Sequence, residues 1–271
     1  THVAGTVAAT GDNGIGVVGV SWNTKIATIQ FLGYDPGWGW CTGDDAGAIG
    51  AIMYSAAIPE IRMTNNSWGG GPFSWSVNDA IAYSDKLFFA AAGNYGSNND
   101  SSGFYPCSYD PDNVVCVASI DENLGMSYFS NYGATRVDIG APGSSVYSCV
   151  PFEGYEYYDG TSMATPHVAG VAALALSRND QLHWTELKQI LLDNATYTPS
   201  LDGKCVSNGR VNAFNVLNVI GPGWISASHN SGLVTPGNFE IVDINFNADG
   251  INAGVYTSDI MVSTNDENNE L

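Results

Sequence analysis

Over roughly the first 220 residues, short apolar runs alternate with stretches of helical periodicity. The apolar runs predict strands at residues 25–31, 61–65, 87–92, 114–119 and 136–139, and the periodic stretches predict helices at 44–57, 75–84, 161–177, 184–193 and 212–219. In the helix at 184–193, Thr185 reads as the N-cap before an apolar face of Leu187, Ile190 and Leu191. Strand–helix alternation at this spacing predicts an α/β fold, a parallel sheet with helices packed on both of its faces.

The pattern changes at Gly221-Pro222-Gly223, a strong chain breaker. Beyond it helical periodicity ends. Residues 240–246 put Val242, Ile244 and Phe246 on one face, and 255–263 do the same with Tyr256, Ile260 and Val262, with a Gly-rich connection at 247–254 that suits a hairpin. The expected division is a main domain at 1–220 and a small β-rich, sandwich-like module at 223–271. About 50 residues with so few strands are too small for a stable sandwich alone, so the module reads as incomplete. Its last residues, 265–270, read as a polar linker or a loop.

Composition narrows the function. The 271 residues carry a net charge of −19 with 8 Lys and Arg, and charged residues make up only 13%, about half the usual share of roughly 25%. A nucleic-acid partner needs a basic stripe, which the sequence lacks, and an anionic membrane surface is disfavoured for the same reason. No apolar run approaches the ~20 residues of a membrane span. The five cysteines, at 41, 107, 116, 149 and 205, have no metal-ligand spacing. Cys107 and Cys116 bracket a turn-rich segment and read either as a disulfide or as two buried thiols; the odd count leaves one thiol free or paired elsewhere. A disulfide and low Lys content point to a secreted protein.

The chemistry concentrates in Gly160-Thr161-Ser162-Met163-Ala164-Thr165-Pro166-His167-Val168-Ala169-Gly170. A Ser following Gly at a helix start is ordinarily a cap, but a helix N-terminus also offers free N–H groups and a positive dipole end to a developing oxyanion. Ala90-Ala91-Ala92-Gly93-Asn94 ends an apolar strand in what is otherwise a plain turn, and Asn66-Ser67-Trp68-Gly69-Gly70 ends another in glycines. In this order and spacing the three strings resemble the subtilase family of serine proteases. The resemblance implies a Ser162 nucleophile, an Asn94 side-chain amide over the carbonyl under attack, and substrate pairing along Ser67, Trp68 and Gly69 by strand addition. Phe104-Tyr105-Pro106 aligns with the wall of the family's specificity pocket, where some members carry Gly at the position of Phe104.

The resemblance also covers the two ends of the main domain. Gly209-Arg210-Val211-Asn212-Ala213 matches a late family string, and Thr1-His2-Val3-Ala4-Gly5-Thr6 matches the tail of His-Gly-Thr-His-Val-Ala-Gly-Thr. His2 aligns with the second His of that string, which implies that the catalytic base sits two residues before Thr1 and the triad Asp further upstream. Five residues separate His167 from Ser162 and rotate a helix by roughly 500°, so the two leave from different faces; His183 and His229 lie near no motif. The expected partners are therefore a polypeptide substrate and the missing N-terminal segment of the same protein. The resemblance further implies a structural calcium loop with Asn13 as a ligand, set against a plain Gly-rich turn.

The implied function is endopeptidase hydrolysis through a Ser162 acyl-enzyme, with 1–271 alone nearly inert. The alternative is a subtilase-fold binding or structural protein without proteolysis. A sugar-binding or adhesive role would rest on the tail alone.

Overall fold

The computed structural model describes residues 1–37, 39–221, 225–228, 233–235, 238–246 and 257. It separates into two compact units, Thr1–Ile220 and Gly221–Leu271. In chain order the first unit runs α1 (His2–Ala8), β1 (Gly33–Asp35), β2 (Trp40–Thr42), α2 (Asp45–Ala56), β3 (Met63–Asn66), α3 (Trp75–Ser84), β4 (Leu87–Ala91), β5 (Val114–Ile120), β6 (Ile139–Pro142), β7 (Val146–Val150), β8 (Gly154–Tyr158), α4 (Thr161–Arg178), α5 (Trp184–Asp193), β9 (Thr196–Tyr197), β10 (Gly209–Arg210) and α6 (Ala213–Val219).

The central sheet has the order β3-β4-β5-β6-β10-β9, parallel from β3 through β10 and antiparallel at β9. All residues of β4 and β5 are buried, which is why they read as continuous apolar runs rather than alternating ones. The pleat divides them between two cores. Leu87, Phe89, Val115 and Val117 face a cluster completed by Val7 of α1, Ala164, Val168 and Ala172 of α4, Leu187 of α5 and Val216 of α6. Phe88, Ala90, Val114, Cys116 and Ala118 face the other, with Ile52 of α2 and Val77 and Ile81 of α3. This is the α/β sandwich of helices on both faces that the pattern predicts. Among the described residues no helix is long and apolar enough to cross a membrane.

Several expectations need correction. Residues 25–31 form no strand: among the described residues β3 is the edge of the sheet, laddered to β4, and residues 25–31 without a ladder are mostly exposed chain. The strand expected at 136–139 begins at Ile139: Arg136 N donates to the Asp100 carboxylate and Val137 N to the Gly133 carbonyl, which leaves Asp138 N alone to reach β5, at the Cys116 carbonyl. Thr185 does not cap α5; His183 does, its side chain accepting from Thr185 N. Helix α1 and the antiparallel β7–β8 hairpin carry no signal that the pattern reading picked up. Cys107 and Cys116 form the disulfide, while Cys41, Cys149 and Cys205 are free.

In the second unit β11 (Ile225–Ala227) pairs antiparallel with β12 (Ile244–Phe246). The strand expected at 255–263, its connection at 247–254 and the polar run at 265–270 lie outside the described residues, Thr257 apart.

Candidate active site

Ser162 is the second residue of α4, and its backbone environment follows from two neighbours. Gly160 enters the helix at φ +151, a conformation side-chain-bearing residues rarely adopt. Pro166 stands inside the helix four residues after Ser162. Proline has no N–H, so the Ser162 carbonyl is deprived of its normal helical donor. Ser67, one residue past the end of β3, fills the gap: its hydroxyl donates to the Ser162 carbonyl at 2.8 Å, and Ser162 Oγ donates in return to the Ser67 carbonyl at 3.2 Å. The nucleophile candidate and the first residue of the substrate-strand candidate are thus clasped in both directions across 95 positions of sequence.

Asn94 reaches the same place from the end of β4. Its Oδ1 accepts from Thr161 N and from Thr161 Oγ1, both at 2.9 Å, and Thr161 Oγ1 itself accepts from Gly93 N at 3.1 Å. With the oxygen so held, the amide plane is fixed and Nδ2 turns towards the helix start. A methyl group on Gly160 would lie 3.4 Å from Asn94 Nδ2 and 3.6 Å from Ser162 N. The space beside Gly160 is therefore a cradle bordered by two nitrogens that carry N–H groups, one of them in the first turn of α4, where backbone donors have no helical acceptor. Asn131 steadies the turn from behind, its Oδ1 accepting from Tyr95 N and Ser97 N.

The remaining site candidates line the approach. A methyl group on Gly69 would collide with the Phe104 ring, and one on Gly93 would lie 3.0 Å from Phe104 Cγ. The ring thus occupies the space between the glycine strand and the turn before Asn94, with Tyr95 6.0 Å away, ring centre to ring centre. Trp68 leans edge-on to Phe31 at 4.9 Å and donates from Nε1 to Asn66 Oδ1.

No histidine among the described residues hydrogen-bonds Ser162. His2 is 5% exposed, stacked on Tyr158 at 4.5 Å, with Nε2 directed at the Val146 and Glu156 carbonyls. His167 turns its Nδ1 to the Met163 carbonyl at 2.9 Å, on a different face of α4 from Ser162. Burial lowers its pKa; the hydrogen bond to Met163 works against this, and the neighbouring His2 adds to it. His229 lies outside the described residues.

Asn13 lies in an exposed loop, where its Oδ1 accepts from Ile15 N at 3.0 Å and closes a local turn; among the described residues no group of three or more His, Cys, Asp or Glu side chains is placed to hold a metal.

The family description that matches residues 1–223 is that of the Subtilase family. The chain belongs to the subtilase family. It is 36% identical over 222 residues to the thermophilic serine proteinase of Bacillus sp. (strain AK1), covering 80% of this chain and 51% of that protein. It is 38% identical over 208 residues to subtilisin DY of Bacillus licheniformis, covering 72% and 69% of the two chains. Among solved structures, one titled as proteases from Pseudoalteromonas arctica PAMC 21717 superposes with a TM-score of 0.70 at 32% identity, over 81% of this chain and 70% of that one. The subtilase chain described here thus spans about half the length of the first of these relatives.

Proposed function

We propose that this subtilase is a serine endopeptidase that cleaves polypeptides through an acyl-enzyme on Ser162. The observation that carries the reading is the convergence of Ser162 N and Asn94 Nδ2 on the cradle beside Gly160. A carbonyl oxygen bound there is polarised in the ground state and held more tightly as it becomes an oxyanion, which is differential stabilisation of the transition state. Residues 67–69 hold the substrate backbone by strand addition. In the resting arrangement the Ser162 hydroxyl proton is given to the Ser67 carbonyl; attack requires that proton to pass to a base instead. The match of Thr1–Thr6 to the tail of the family's His-Gly-Thr-His-Val-Ala-Gly-Thr string implies that the base and its orienting Asp come from residues upstream of Thr1. In subtilisin, a relative of this protein, loss of the base costs about a million-fold in turnover, so 1–271 alone is nearly inert.

Phe104 lines the specificity pocket and shortens it, which favours small or medium side chains on the acyl side of the scissile bond. The disulfide supports a secreted enzyme. A second reading, a subtilase-fold binding or structural protein without proteolysis, draws on the absence, among the described residues, of a histidine hydrogen-bonded to Ser162. Hydrolysis of an unstructured protein by the chain extended upstream of Thr1 separates the two: cleavage abolished by Ser162→Ala supports the peptidase, and cleavage unaffected by it refutes it.

A further inference from the structure

Beside the nucleophile lies a buried polar atom that nothing satisfies. Asn65, two residues before Ser67, donates from Nδ2 to Ser67 Oγ at 2.9 Å, while its Oδ1 is buried without a hydrogen-bond partner. The adjacent Asn66 shows what a fully used amide looks like: it donates to Thr64 Oγ1 and the Phe89 carbonyl and accepts from Trp68 Nε1. Leaving Asn65 Oδ1 unpaired costs free energy, and turning the amide over would pair it, because Oδ1 would then accept from the Ser67 hydroxyl. That hydroxyl has one proton, however, and gives it to the Ser162 carbonyl. The carbonyl depends on it, since Pro166 denies it a helical donor. Only one direction leaves the Ser162 carbonyl with its donor: Asn65 Nδ2–H to Ser67 Oγ, Ser67 Oγ–H to Ser162 O.

We propose that Asn65 is a positioning residue for the nucleophile, acting through Ser67. By filling a lone pair of Ser67 Oγ it commits the Ser67 proton to the Ser162 carbonyl. That bond in turn fixes the backbone that carries both the Ser162 hydroxyl and the Ser162 N–H of the cradle. The orphaned Oδ1 is the cost of keeping the amide in this orientation. The inference rests on the peptidase reading for its kinetic consequence, though not for its geometry.

Asn65→Asp is the decisive variant, since it presents an acceptor of the same shape where the donor stood. A crystal structure of the 271-residue chain carrying Asn65→Asp reads the geometry without any activity. Ser67 Oγ is expected to leave the Ser162 carbonyl for the new carboxyl group; Ser67 still within hydrogen-bond distance of the Ser162 carbonyl overturns the proposal. In the enzyme with its upstream residues, Asn65→Ala is expected to lower kcat about tenfold, the worth of one hydrogen bond, with Asn65→Asp lower still and KM within about twofold of wild type. In a Ser67→Ala background Asn65→Ala is expected to be neutral, because its route to Ser162 is gone. Equal losses in both backgrounds, or a loss confined to KM, refute the positioning role. A wild-type enzyme that hydrolyses nothing refutes the peptidase reading, and the crystal structure still decides Asn65.

Discussion

Replacing Asn94 probes the cradle most sharply, because its two ends do different work. The oxygen end is structural, accepting from Thr161 N and Oγ1 at 2.9 Å; the nitrogen end faces the site. Asn94→Ala removes both. Two neutral hydrogen bonds at about 0.5–1.5 kcal/mol each set the stability loss at about 1–3 kcal/mol, and the exposure of Asn94 lets water replace part of it and favours the lower figure. The loss of one oxyanion donor is worth about 10²–10³ in kcat, a magnitude measured in subtilisin itself, a relative of this protein. Asn94→Asp separates the two ends: it keeps acceptors for Thr161 while placing negative charge beside a developing oxyanion. It should therefore be more stable than Asn94→Ala and no more active. The assay is kcat and KM on a peptide amide with the upstream residues present, alongside urea unfolding midpoints. An Asn94→Asp enzyme within about threefold of wild-type kcat, or a loss seen only in KM, would refute the assignment of Nδ2 to the oxyanion.

Phe104→Gly should open the acyl-side pocket, admitting aromatic residues that the wild type rejects by about 1–3 kcal/mol per poorly fitting methylene; a peptide-library profile that already prefers Phe or Tyr and does not change contradicts this. His167 has a folded-state pKa below its unfolded value of about 6.5, so the stability it confers is complete above that pH and is lost as pH falls through it, when the unfolded chain takes up the proton first. His167→Gln should flatten the fall in the urea midpoint between pH 7.5 and pH 5, and an identical fall in both proteins would show that His167 does not contribute. The Cys107–Cys116 bridge closes a loop with a sequence separation of 9, worth about 2–3 kcal/mol of loop entropy; unfolding of the Cys107→Ala, Cys116→Ala double variant should show that loss, and unchanged stability would contradict it.

The parts of this fold that were readable share one property: their signal is local. Residues 87–92 and 114–119 announce buried parallel strands because both faces of each are covered, and Ser162 and Asn94 sit in strings whose chemistry depends on their immediate neighbours. Pro166 is visible in the sequence too, and with it the freed Ser162 carbonyl. What fills that carbonyl is not, because Ser67 comes from another strand 95 positions away. The same holds for Arg136, whose backbone N–H is claimed by the Asp100 side chain rather than by a ladder, and for residues 25–31, whose apolar character could not reveal that they join no ladder among the described residues. Helix α1 hides for a related reason. Gly5 brings it so close to Ser148 and Cys149 that tertiary packing, not propensity, holds it.

Fluorophosphonate labelling read by mass spectrometry tests the central claim most directly. The chain extended upstream of Thr1 should label rapidly and on Ser162 alone, while the 1–271 chain, in which no histidine of the described residues hydrogen-bonds Ser162, should label slower by orders of magnitude. Rapid labelling of 1–271, or labelling of the extended chain at any residue other than Ser162, would contradict the account.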